Sequence, residues 1–536
     1  MQGLMQRREL LISSILTHAE RHHGGGEIVS VRDDGTLART TYAAVGERAR
    51  RLAGVLQALG VKFGDRVATL AMNSDRHLEL YYAIAGIGAV CNTINPRLAP
   101  DDIAYIANHA EDGLIFADPG FLPILEGIAR KIPTLRAVIA IADVDAPLNP
   151  ALPPGVAFHN YETLLAAAAP IPQWPTFEET TASALCYTSG TTGRPKGVLY
   201  THRSILLHAM MGNFADTIGL RATDRMLPFV PMFHVNAWCL PYIAPMSGAA
   251  LLMPGRQLDP AAQLRLLNEE GATVSAGVPT IWLGLLNHMR ETGARLTSLR
   301  RIFSGGAAFP RALMAAYQAL GIDVAHAWGM TESSPIATFY APKAASASLD
   351  AEARLTEQAK QGRVVFGVDV RAETDAGEAR WDGKTPGNLV FRGHWVASQY
   401  YRQPETAVAP DGWFPTGDVG VIDAQGFVAL TDRTKDLIKS GGEWISSIEL
   451  ENIAVGHPDV AEAAAIAVPD AKWGERPLVI VVPRTGTAPT PDSIRAFYKD
   501  KVPSWSIPDR VLIAESLPHG ATGKLLKTEL RKLYAT

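Results

Sequence analysis

The stretch Tyr187–Val198 reads YTSGTTGRPKGV and holds four Ser/Thr hydroxyls, three glycines, one proline and one lysine. Clusters of this kind usually mark a solvated loop. Here an apolar run, TASALCY, precedes the cluster and predicts a buried strand, and Thr201 behind it is a candidate helix N-cap. Glycines let backbone N–H groups approach phosphate oxygens, hydroxyls donate further hydrogen bonds, and Lys196 supplies positive charge. We therefore predict a strand, a phosphate-binding Gly-rich turn and a helix, with a plain surface loop as the alternative.

The loop differs from the common nucleotide-binding P-loop. That pattern requires G-x-x-x-x-G-K followed by Ser or Thr. Lys196 instead follows a proline and precedes a glycine. A GTPase or a P-loop kinase is therefore disfavoured.

Composition sets the broad class of the protein. A chain of 536 residues is too long to fold around a single hydrophobic core, so two to four domains are expected. Its hydrophobic content of 47% and charged content of 19% are typical of a soluble globular protein. The net charge of −4 offers no basic footprint for nucleic acid. No run of eighteen apolar residues occurs, so we expect no membrane span.

Cysteine usage and the N-terminal segment point to one compartment. The three cysteines have no metal-binding spacing and no C-x-x-C, which suits a reducing, cytoplasmic location with buried thiols. The short apolar stretch Leu10–Leu16 is interrupted by serines and lacks a cleavage site, so we expect an amphipathic helix and not a signal peptide.

Helix-like and strand-like segments alternate along most of the chain, which predicts an α/β fold with layered, largely parallel sheets. From about Arg363 the segments are rich in β-branched and aromatic residues with Gly turns, which predicts a small β-rich subdomain over roughly 363–434. After Lys435 the pattern predicts a compact α+β domain.

Four further motifs carry candidate functional side chains, each with a plainer interpretation. His234 in PMFHVNAW, taken alone, would more often be a core histidine. Thr331 and Glu332 in HAWGMTE offer the hard oxygens that Mg²⁺ prefers, or form a helix cap and its neighbour. Asp418 in PTGDVG could accept hydrogen bonds from vicinal ribose hydroxyls or cap a turn. Lys524 follows a Gly-rich turn in PHGATGKLLK, although most lysines near a terminus are only solvated.

The order of these motifs resembles the adenylate-forming superfamily of acyl-CoA synthetases, adenylation domains and luciferases. The motifs are YTSGTTGRPKGV, HAWGMTE, TGD, DRTKDLIKSGGEWIS and ATGK, and together they extend over nearly the whole chain. PMFHVNAW and SGGEWISSIELE look closest to the fatty-acyl-CoA synthetase branch, which includes medium- and long-chain enzymes and bacterial methylthio-propionate ligases.

The resemblance implies roles for specific residues. The β- and γ-phosphates of ATP would lie against Thr188, Ser189, Gly190, Thr191, Thr192, Gly193 and Lys196. The adenine, α-phosphate and ribose would contact Gly306, Ala307, His326, Ala327, Trp328, Gly329, Met330, Thr331, Asp418 and Arg433. Residues of the hinge region near the nucleotide would be Lys435, Lys439 and Trp444.

Mg²⁺ would be held by Thr188 and Glu332. The acyl tunnel would be bordered by His234, Val235, Trp238, Gly305 and Gly306, with Trp238 as its gate. The path of CoA would pass Gly441, Gly442, Glu443 and Trp444. The catalytic set would be Lys524, Lys196, His234, Thr331 and Glu332.

The implied activity is an ATP-dependent, AMP-forming fatty acid–CoA ligase. A carboxylate would attack the α-phosphate of ATP to give an acyl-adenylate and pyrophosphate, and Lys196, Lys524 and Mg²⁺ would stabilise the anionic transition state. No general base is needed, because the carboxylate is already ionised at neutral pH. The thiol of CoA would then displace AMP.

The resemblance also implies a domain arrangement: an N-terminal domain 1–434 with the ATP and acyl sites, a mobile C-terminal domain 436–536 and a hinge at Lys435. Before rotation, the domain that carries Lys524 would block the access of CoA. Rotation about the hinge would move Lys524 away and open the path for CoA. The resemblance to this branch also suggests that the protein forms a homodimer.

Several alternatives remain open from sequence. One is a ligase for a short or unusual carboxylate such as 3-methylthio-propionate, or an acyl-carrier-protein ligase. A non-catalytic acyl-nucleotide sensor is disfavoured because both lysines are retained, and a luciferase-type oxidation is disfavoured as well. The chain departs from the family pattern at His326-Ala327-Trp328 and at His519-Gly520, but neither departure removes a charged catalytic group.

Overall fold

Two large, mostly parallel sheets form the bulk of the protein. The structure is a computed structural model that describes residues 1, 3–144, 146–188, 194–441, 443–520 and 525–534. The strands of a seven-stranded sheet, in spatial order, are Ala157–Asn160, Ala137–Ala140, Leu114–Ala117, Arg66–Leu70, Val90–Thr93, Ala182–Tyr187 and Gly197–Thr201. All neighbouring pairs are parallel except the last. Its inner strands are short, apolar and buried, as expected for a parallel sheet covered by helices on both faces.

The second sheet has nine strands. In spatial order they are Arg363–Val364, Ile336–Phe339, Asp323–Gly329, Arg301–Ser304, Val274–Gly277, Arg225–Pro228, Ala250–Met253, Glu27–Val31 and Leu37–Thr41. The six strands from Asp323–Gly329 to Glu27–Val31 are parallel, and the edges are antiparallel.

Helices cover both sheets and join them through one continuous core. Up to residue 358 they are Ile12–His22, Tyr42–Ala58, Asp75–Gly86, Pro100–Ala110, Leu122–Ile128, Tyr161–Ala167, His202–Gly212, Leu240–Ser247, Pro260–Glu269, Pro279–Thr292, Arg311–Ala319 and Ala351–Gln358. The three cysteines are buried, as predicted. None of the helices within the described residues has the length and apolar character needed to cross a membrane.

The later part of the chain forms two smaller sheets. The β-rich segment is a five-stranded antiparallel sheet of Gly377–Glu378, Val368–Thr374, Gly387–Gly393, Phe414–Ile422 and Val428–Arg433. The C-terminal sheet consists of Glu443–Ile445, Ile438–Ser440, Gly474–Pro483, Val460–Asp470 and Arg510–Ile513. It packs with the helices Ser447–Val455, Pro491–Phe497 and Lys527–Tyr534 around its own apolar clusters. The predicted α/β fold class is confirmed.

The prediction of a strand, a turn and then a helix around the Gly-rich stretch is wrong in one respect. A second strand, Gly197–Thr201, returns antiparallel to Ala182–Tyr187 before the helix His202–Gly212 begins. The β-branched and aromatic residues of GVLYT favour this strand. The predicted N-cap is confirmed, because the Thr201 side chain accepts a hydrogen bond from the Ser204 N–H.

Candidate active site

A cavity lies where the connections of the nine-stranded sheet diverge. From Arg225–Pro228 the chain passes to the neighbouring strand on one side, and the next strand, Val274–Gly277, pairs on the other side. Ligands of open α/β sheets bind at such a switch point, outside the carboxyl ends of the strands. The cavity here has a volume of about 90 Å³. Its walls are Arg97, Phe229, Val230, Pro231, His234, Trp238, Leu258, Val278, Thr280, Ile281 and Gly306.

The Gly-rich loop is closed at its base by a pair of hydrogen bonds. The Thr188 N–H donates to the Lys196 carbonyl at 2.9 Å, and the Lys196 N–H donates to Thr188 Oγ1 at 3.2 Å. The hairpin register pairs Tyr187 with Gly197 just below. The predicted phosphate-loop residues between them, which lie outside the described residues, are Ser189, Gly190, Thr191, Thr192 and Gly193.

A tyrosine that the sequence did not single out connects the loop lysine to the predicted metal ligand. The Lys196 Nζ lies 4.7 Å from the centre of the Tyr400 ring, in a cation–π contact. The Tyr400 hydroxyl donates to Glu332 Oε1 at 2.6 Å. Burial and the Glu332 carboxylate raise the pKa of Tyr400, so its hydroxyl keeps the proton that it donates. Lys196 and Glu332, 136 positions apart in sequence, thus contact one side chain.

Glu332 belongs to a short turn, Thr331–Ser333, that follows a strand end of the nine-stranded sheet. Tyr200 Oη donates to the Thr331 carbonyl at 2.7 Å, which ties the turn to the hairpin behind the Gly-rich loop. The Ala397 N–H donates to the Glu332 carbonyl at 2.8 Å, which ties it to the loop that carries Tyr400. The turn is therefore held from both sides.

The donor set beside the loop fits Mg²⁺. Magnesium in nucleotide sites is bound by one or two carboxylates, hydroxyls and water together with phosphate oxygens, and not by an all-protein cage. Glu332 is buried, with 4% of its surface exposed, and offers a carboxylate. Thr188, half-buried at the loop base, offers a hydroxyl. Both are hard oxygen ligands.

The predicted ribose ligand is buried, and its partners include Arg433 and Trp328. Asp418 pairs in register with Arg433, whose Nε lies 2.7 Å from Asp418 Oδ1. The indole N–H of Trp328 donates to Asp418 Oδ2 at 2.8 Å. The ring of Trp328 packs against Phe391 in the neighbouring sheet. The structure thus brings Trp328, Asp418 and Arg433 together.

The predicted adenine residues lie along adjacent strand ends. Ala327 and Gly329 belong to the strand Asp323–Gly329, and the Met330 N–H donates to the Pro335 carbonyl at 3.1 Å. Gly306 and Ala307 are exposed beyond the neighbouring strand.

His326 differs from those neighbours because its side chain is buried. Its ring nitrogens lie 3.1 Å from the Ala359 carbonyl and 3.4 Å from the Ala307 carbonyl, and burial lowers its pKa. The imidazole therefore supports the Gly306–Ala307 backbone from behind.

His234 lies between two cavities. It lines the apolar cavity with Trp238, and it also lines a smaller cavity with Thr188 and Phe233. Gly305 lies close to the Trp238 indole. A Cβ added at Gly305 would lie 3.5 Å from the Trp238 ring and 3.0 Å from the Ala327 carbonyl oxygen. The predicted acyl residues therefore adjoin the base of the predicted phosphate loop.

The backbone around Trp238 is strained. Val235, Ala237, Trp238 and Cys239 have φ values of 43°, 49°, 53° and 61°, in the left-handed region. A non-glycine residue there costs about 1–2 kcal/mol, and β-branched residues avoid the region most strongly. Such strain persists only where the surroundings hold it, and it is common at functional sites.

The residues predicted near CoA and the hinge form a separate group on the C-terminal hairpin. Lys439 Nζ lies 5.1 Å from the centre of the Trp444 ring, and Trp444 is 52% exposed. The Gly441 N–H donates to the Trp473 carbonyl at 2.8 Å, and Glu443 begins the second strand of the hairpin. Gly442 and Lys524 lie outside the described residues.

The predicted hinge residue Lys435 is exposed between the β-rich sheet and this hairpin. Its carbonyl accepts a hydrogen bond from Arg531 Nη2 at 3.4 Å.

Comparison with known proteins identifies the family of the chain. Residues 17–401 match the model of the AMP-binding enzyme family, and residues 449–524 match that of the AMP-binding enzyme C-terminal domain. The chain is 46% identical to a 3-methylmercaptopropionyl-CoA ligase of Ruegeria lacuscaerulensis, covering 99% of this chain and 98% of that protein. It is 45% identical to a medium-chain-fatty-acid–CoA ligase of Ectopseudomonas oleovorans, covering 100% of this chain and 98% of that one.

A solved structure supports the fold as well. The crystal structure of an anthranilate CoA ligase in complex with anthranoyl-AMP superposes with a TM-score of 0.86 over 97% of this chain and 96% of that chain, at 24% identity. The predicted superfamily and its acyl-CoA synthetase branch are thereby confirmed. The chain belongs to the AMP-binding enzyme family, in the branch of the fatty acyl-CoA ligases and the 3-methylmercaptopropionyl-CoA ligases.

Proposed function

We propose that this protein is an ATP-dependent, AMP-forming acid–thiol ligase that converts an apolar carboxylic acid to its acyl-CoA. The observation that carries the proposal is the position of His234 between an apolar cavity and the base of the Gly-rich loop. An acid in the cavity would present its carboxylate at the end where the phosphates of ATP bind. Such positioning supplies much of the rate enhancement in phosphoryl and nucleotidyl transfer.

Lys196 would stabilise the β- and γ-phosphates, and Lys524 would stabilise the carboxylate and the bridging oxygen. In the described arrangement the Lys196 ammonium rests on the Tyr400 ring, which orients it without neutralising its charge. An ion pair in place of that ring would compete with the phosphates, so a cation–π contact suits a lysine that must engage an anion.

Asp418 would bind the ribose hydroxyls. Its carboxylate oxygens are oriented by Arg433 and by the Trp328 indole, so the acceptor is preorganised before ATP arrives.

Mg²⁺, held by Glu332 and Thr188, would neutralise charge on the phosphate oxygens. Tyr400 fixes the Glu332 carboxylate through a hydrogen bond, and Tyr200 fixes the backbone of the same turn. The orientation of a ligand carboxylate by such partners is typical of metal sites.

For the second step we propose that the C-terminal domain, 436–536, rotates about Lys435 and that CoA then approaches past Gly441, Gly442, Glu443 and Trp444. The exposed indole of Trp444 beside Lys439 would suit an anionic aromatic nucleotide. The predicted homodimer and cytoplasmic location stay predictions.

Two substrate classes are supported almost equally. The apolar lining of the cavity favours a fatty acid. The identity of 46% to a 3-methylmercaptopropionyl-CoA ligase favours a short thioether acid, against 45% for the medium-chain enzyme.

An assay across acids tests the proposal. Purified protein would be given ATP, Mg²⁺, CoA and acids from C3 and 3-methylthio-propionate to C18, and AMP, pyrophosphate and acyl-CoA would be measured, with Lys524→Ala alongside. We expect a single optimum, stoichiometric AMP, and loss of adenylation in the variant. Formation of ADP would overturn the ligase mechanism, and a fully active Lys524→Ala variant would remove the role of that lysine. Tight binding of an acyl-adenylate without turnover would favour the sensor.

A further inference from the structure

Asn73 lies where the two large sheets face each other. It follows the strand Arg66–Leu70 of the seven-stranded sheet and precedes Ser74, the N-cap of the helix Asp75–Gly86. Its side chain extends across to the nine-stranded sheet, to the segment that follows the strand Arg225–Pro228. Only 2% of its surface is exposed.

The Asn73 amide uses both of its functional ends on that segment. Its Nδ2 donates to the Pro228 carbonyl at 3.0 Å and to the Val230 carbonyl at 2.9 Å, and its Oδ1 accepts from the Met232 N–H at 2.7 Å. A primary amide offers two N–H donors and one carbonyl acceptor, so each is engaged here. A buried amide with all its partners holds a backbone firmly, because any slip leaves polar groups unpaired.

The segment that Asn73 holds is one wall of the apolar cavity. Phe229, Val230 and Pro231 line that cavity. A second side chain supports the same wall, since the Tyr81 hydroxyl donates to the Met232 carbonyl.

The restraint continues towards the strained turn. The His234 N–H donates to the Pro231 carbonyl at 3.0 Å, and the left-handed residues begin at Val235. Beyond the turn, Tyr82 Oη donates to the Pro241 carbonyl at 2.9 Å. The turn that carries Trp238 is therefore fixed at both ends by side chains of the helix Asp75–Gly86 and by Asn73 before it.

We propose that Asn73 is a positioning residue for the acid site: it sets the distance between the Phe229–Pro231 wall and Trp238, and so determines which acids fit. The inference rests on the proposed acyl-CoA ligase function and adds a residue outside the cavity to the determinants of acid selectivity.

The test is Asn73→Asp, which keeps the size of the side chain but places a carboxylate against two carbonyl oxygens. Asn268→Asp is the matched control, because the Asn268 amide also binds a loop backbone, at Arg295 and Thr297, away from the cavity. Steady-state kinetics would be measured for the best acid, for one shorter and one longer acid that the wild type also accepts, and for ATP, with rates normalised to the active fraction obtained from a burst of pyrophosphate.

For Asn73→Asp we expect KM for the acid to rise at least tenfold and the preference among chain lengths to flatten, while KM for ATP changes less than twofold. Asn268→Asp should leave all three unchanged. Tyr81→Phe removes one hydrogen bond from the same wall and keeps the ring, so it should raise KM for the acid about threefold. This variant provides the test if Asn73→Asp does not fold.

A lower melting temperature and kcat with unchanged acid KM and chain-length preference, in whichever of these two variants folds, would overturn the inference. If the wild-type protein shows no acid-dependent turnover, the proposed function is overturned, and the inference falls with it. Failure of the inference alone differs from this, because the wild type then turns over acid normally.

Discussion

At the scale of single residues, the charged groups of the site follow from sequence motifs, whereas their partners do not. Lys196, Glu332 and Asp418 stand in recognisable patterns because phosphate, metal and ribose each require a particular side-chain chemistry. Tyr400 and Asn73 stand in no such pattern. Their importance comes from contacts across 68 and more positions of sequence, and only the folded chain shows these contacts.

The Tyr400 hydroxyl provides the first test at this scale. In Tyr400→Phe the ring beneath Lys196 remains, but Glu332 loses a hydrogen-bond donor in a buried site. A hydrogen bond to a charged group contributes about 1.5–3 kcal/mol. We therefore expect kcat/KM for ATP to fall roughly ten- to a hundredfold, measured as AMP formation at saturating acid, and the Mg²⁺ concentration for half-maximal rate to rise.

Tyr340→Phe is the control for that measurement. Tyr340 also donates to a glutamate, Glu357, at 3.3 Å, outside the candidate site. Equal effects of the two substitutions would mean that the loss reflects general stability, and the proposed orientation of Glu332 would be wrong.

At the scale of elements, regular strands and helices agree with the hydrophobic pattern, and the exceptions lie at the site. The short buried strands and the cap at Thr201 are where sequence places them, because burial and capping are local requirements. The turn Val235–Cys239 could not be predicted, since valine and tryptophan disfavour positive φ. Hydrogen bonds with Asn73, Tyr81 and Tyr82 hold the backbone on either side of it. Local preference thus fails where the site needs an unusual backbone.

The pairing between His519 and the strand Val460–Asp470 yields a prediction about pH. His519 and Leu525 form a β-bridge, and His519 Nε2 lies 2.9 Å from Glu462 Oε1. The hydrogen bond to Glu462 raises the pKa of His519 above its ordinary value of 6.5. The native state then binds the proton more tightly than the unfolded state. The ion pair's stabilisation is therefore complete below about pH 6.5 and is lost as pH rises through the native pKa.

An NMR titration of the histidine ring protons measures this directly, with His519→Gln to assign the resonance. In Glu462→Gln we expect the pKa of His519 to fall towards 6.5 or below. An unchanged titration in that variant would show that Glu462 does not hold the histidine.

At the scale of the whole molecule, contacts join the β-rich sheet and the large domain to the C-terminal domain. Asp432 precedes Lys435 in sequence and Ser447 follows it. Asp432 Oδ2 accepts hydrogen bonds from the Ser447 N–H at 2.6 Å and from the Ser447 hydroxyl at 2.5 Å. Farther away, Arg484 Nη1 donates to Asn287 Oδ1 at 2.7 Å. Among the described residues, hydrogen bonds of this kind form a modest barrier, which is compatible with a proposed rotation about the hinge.

A cross-link across this contact tests whether rotation is needed. In a double variant Asn287→Cys and Arg484→Cys, treated with a short bifunctional maleimide, we expect overall acyl-CoA formation to fall more than tenfold. The three native cysteines are buried and should not react. The two single-cysteine variants, treated in the same way, should keep full activity. Undiminished turnover in the cross-linked protein would show that both steps proceed in one domain arrangement.

Acid-dependent exchange of labelled pyrophosphate into ATP, with CoA left out, tests whether the protein activates a carboxylate as an acyl-adenylate. Acyl-adenylate formation predicts exchange that requires a fatty acid or a thioether acid and Mg²⁺, because the first half-reaction is reversible without the thiol. Release of ADP and phosphate without any exchange, under conditions where the protein is folded and binds ATP, would contradict it.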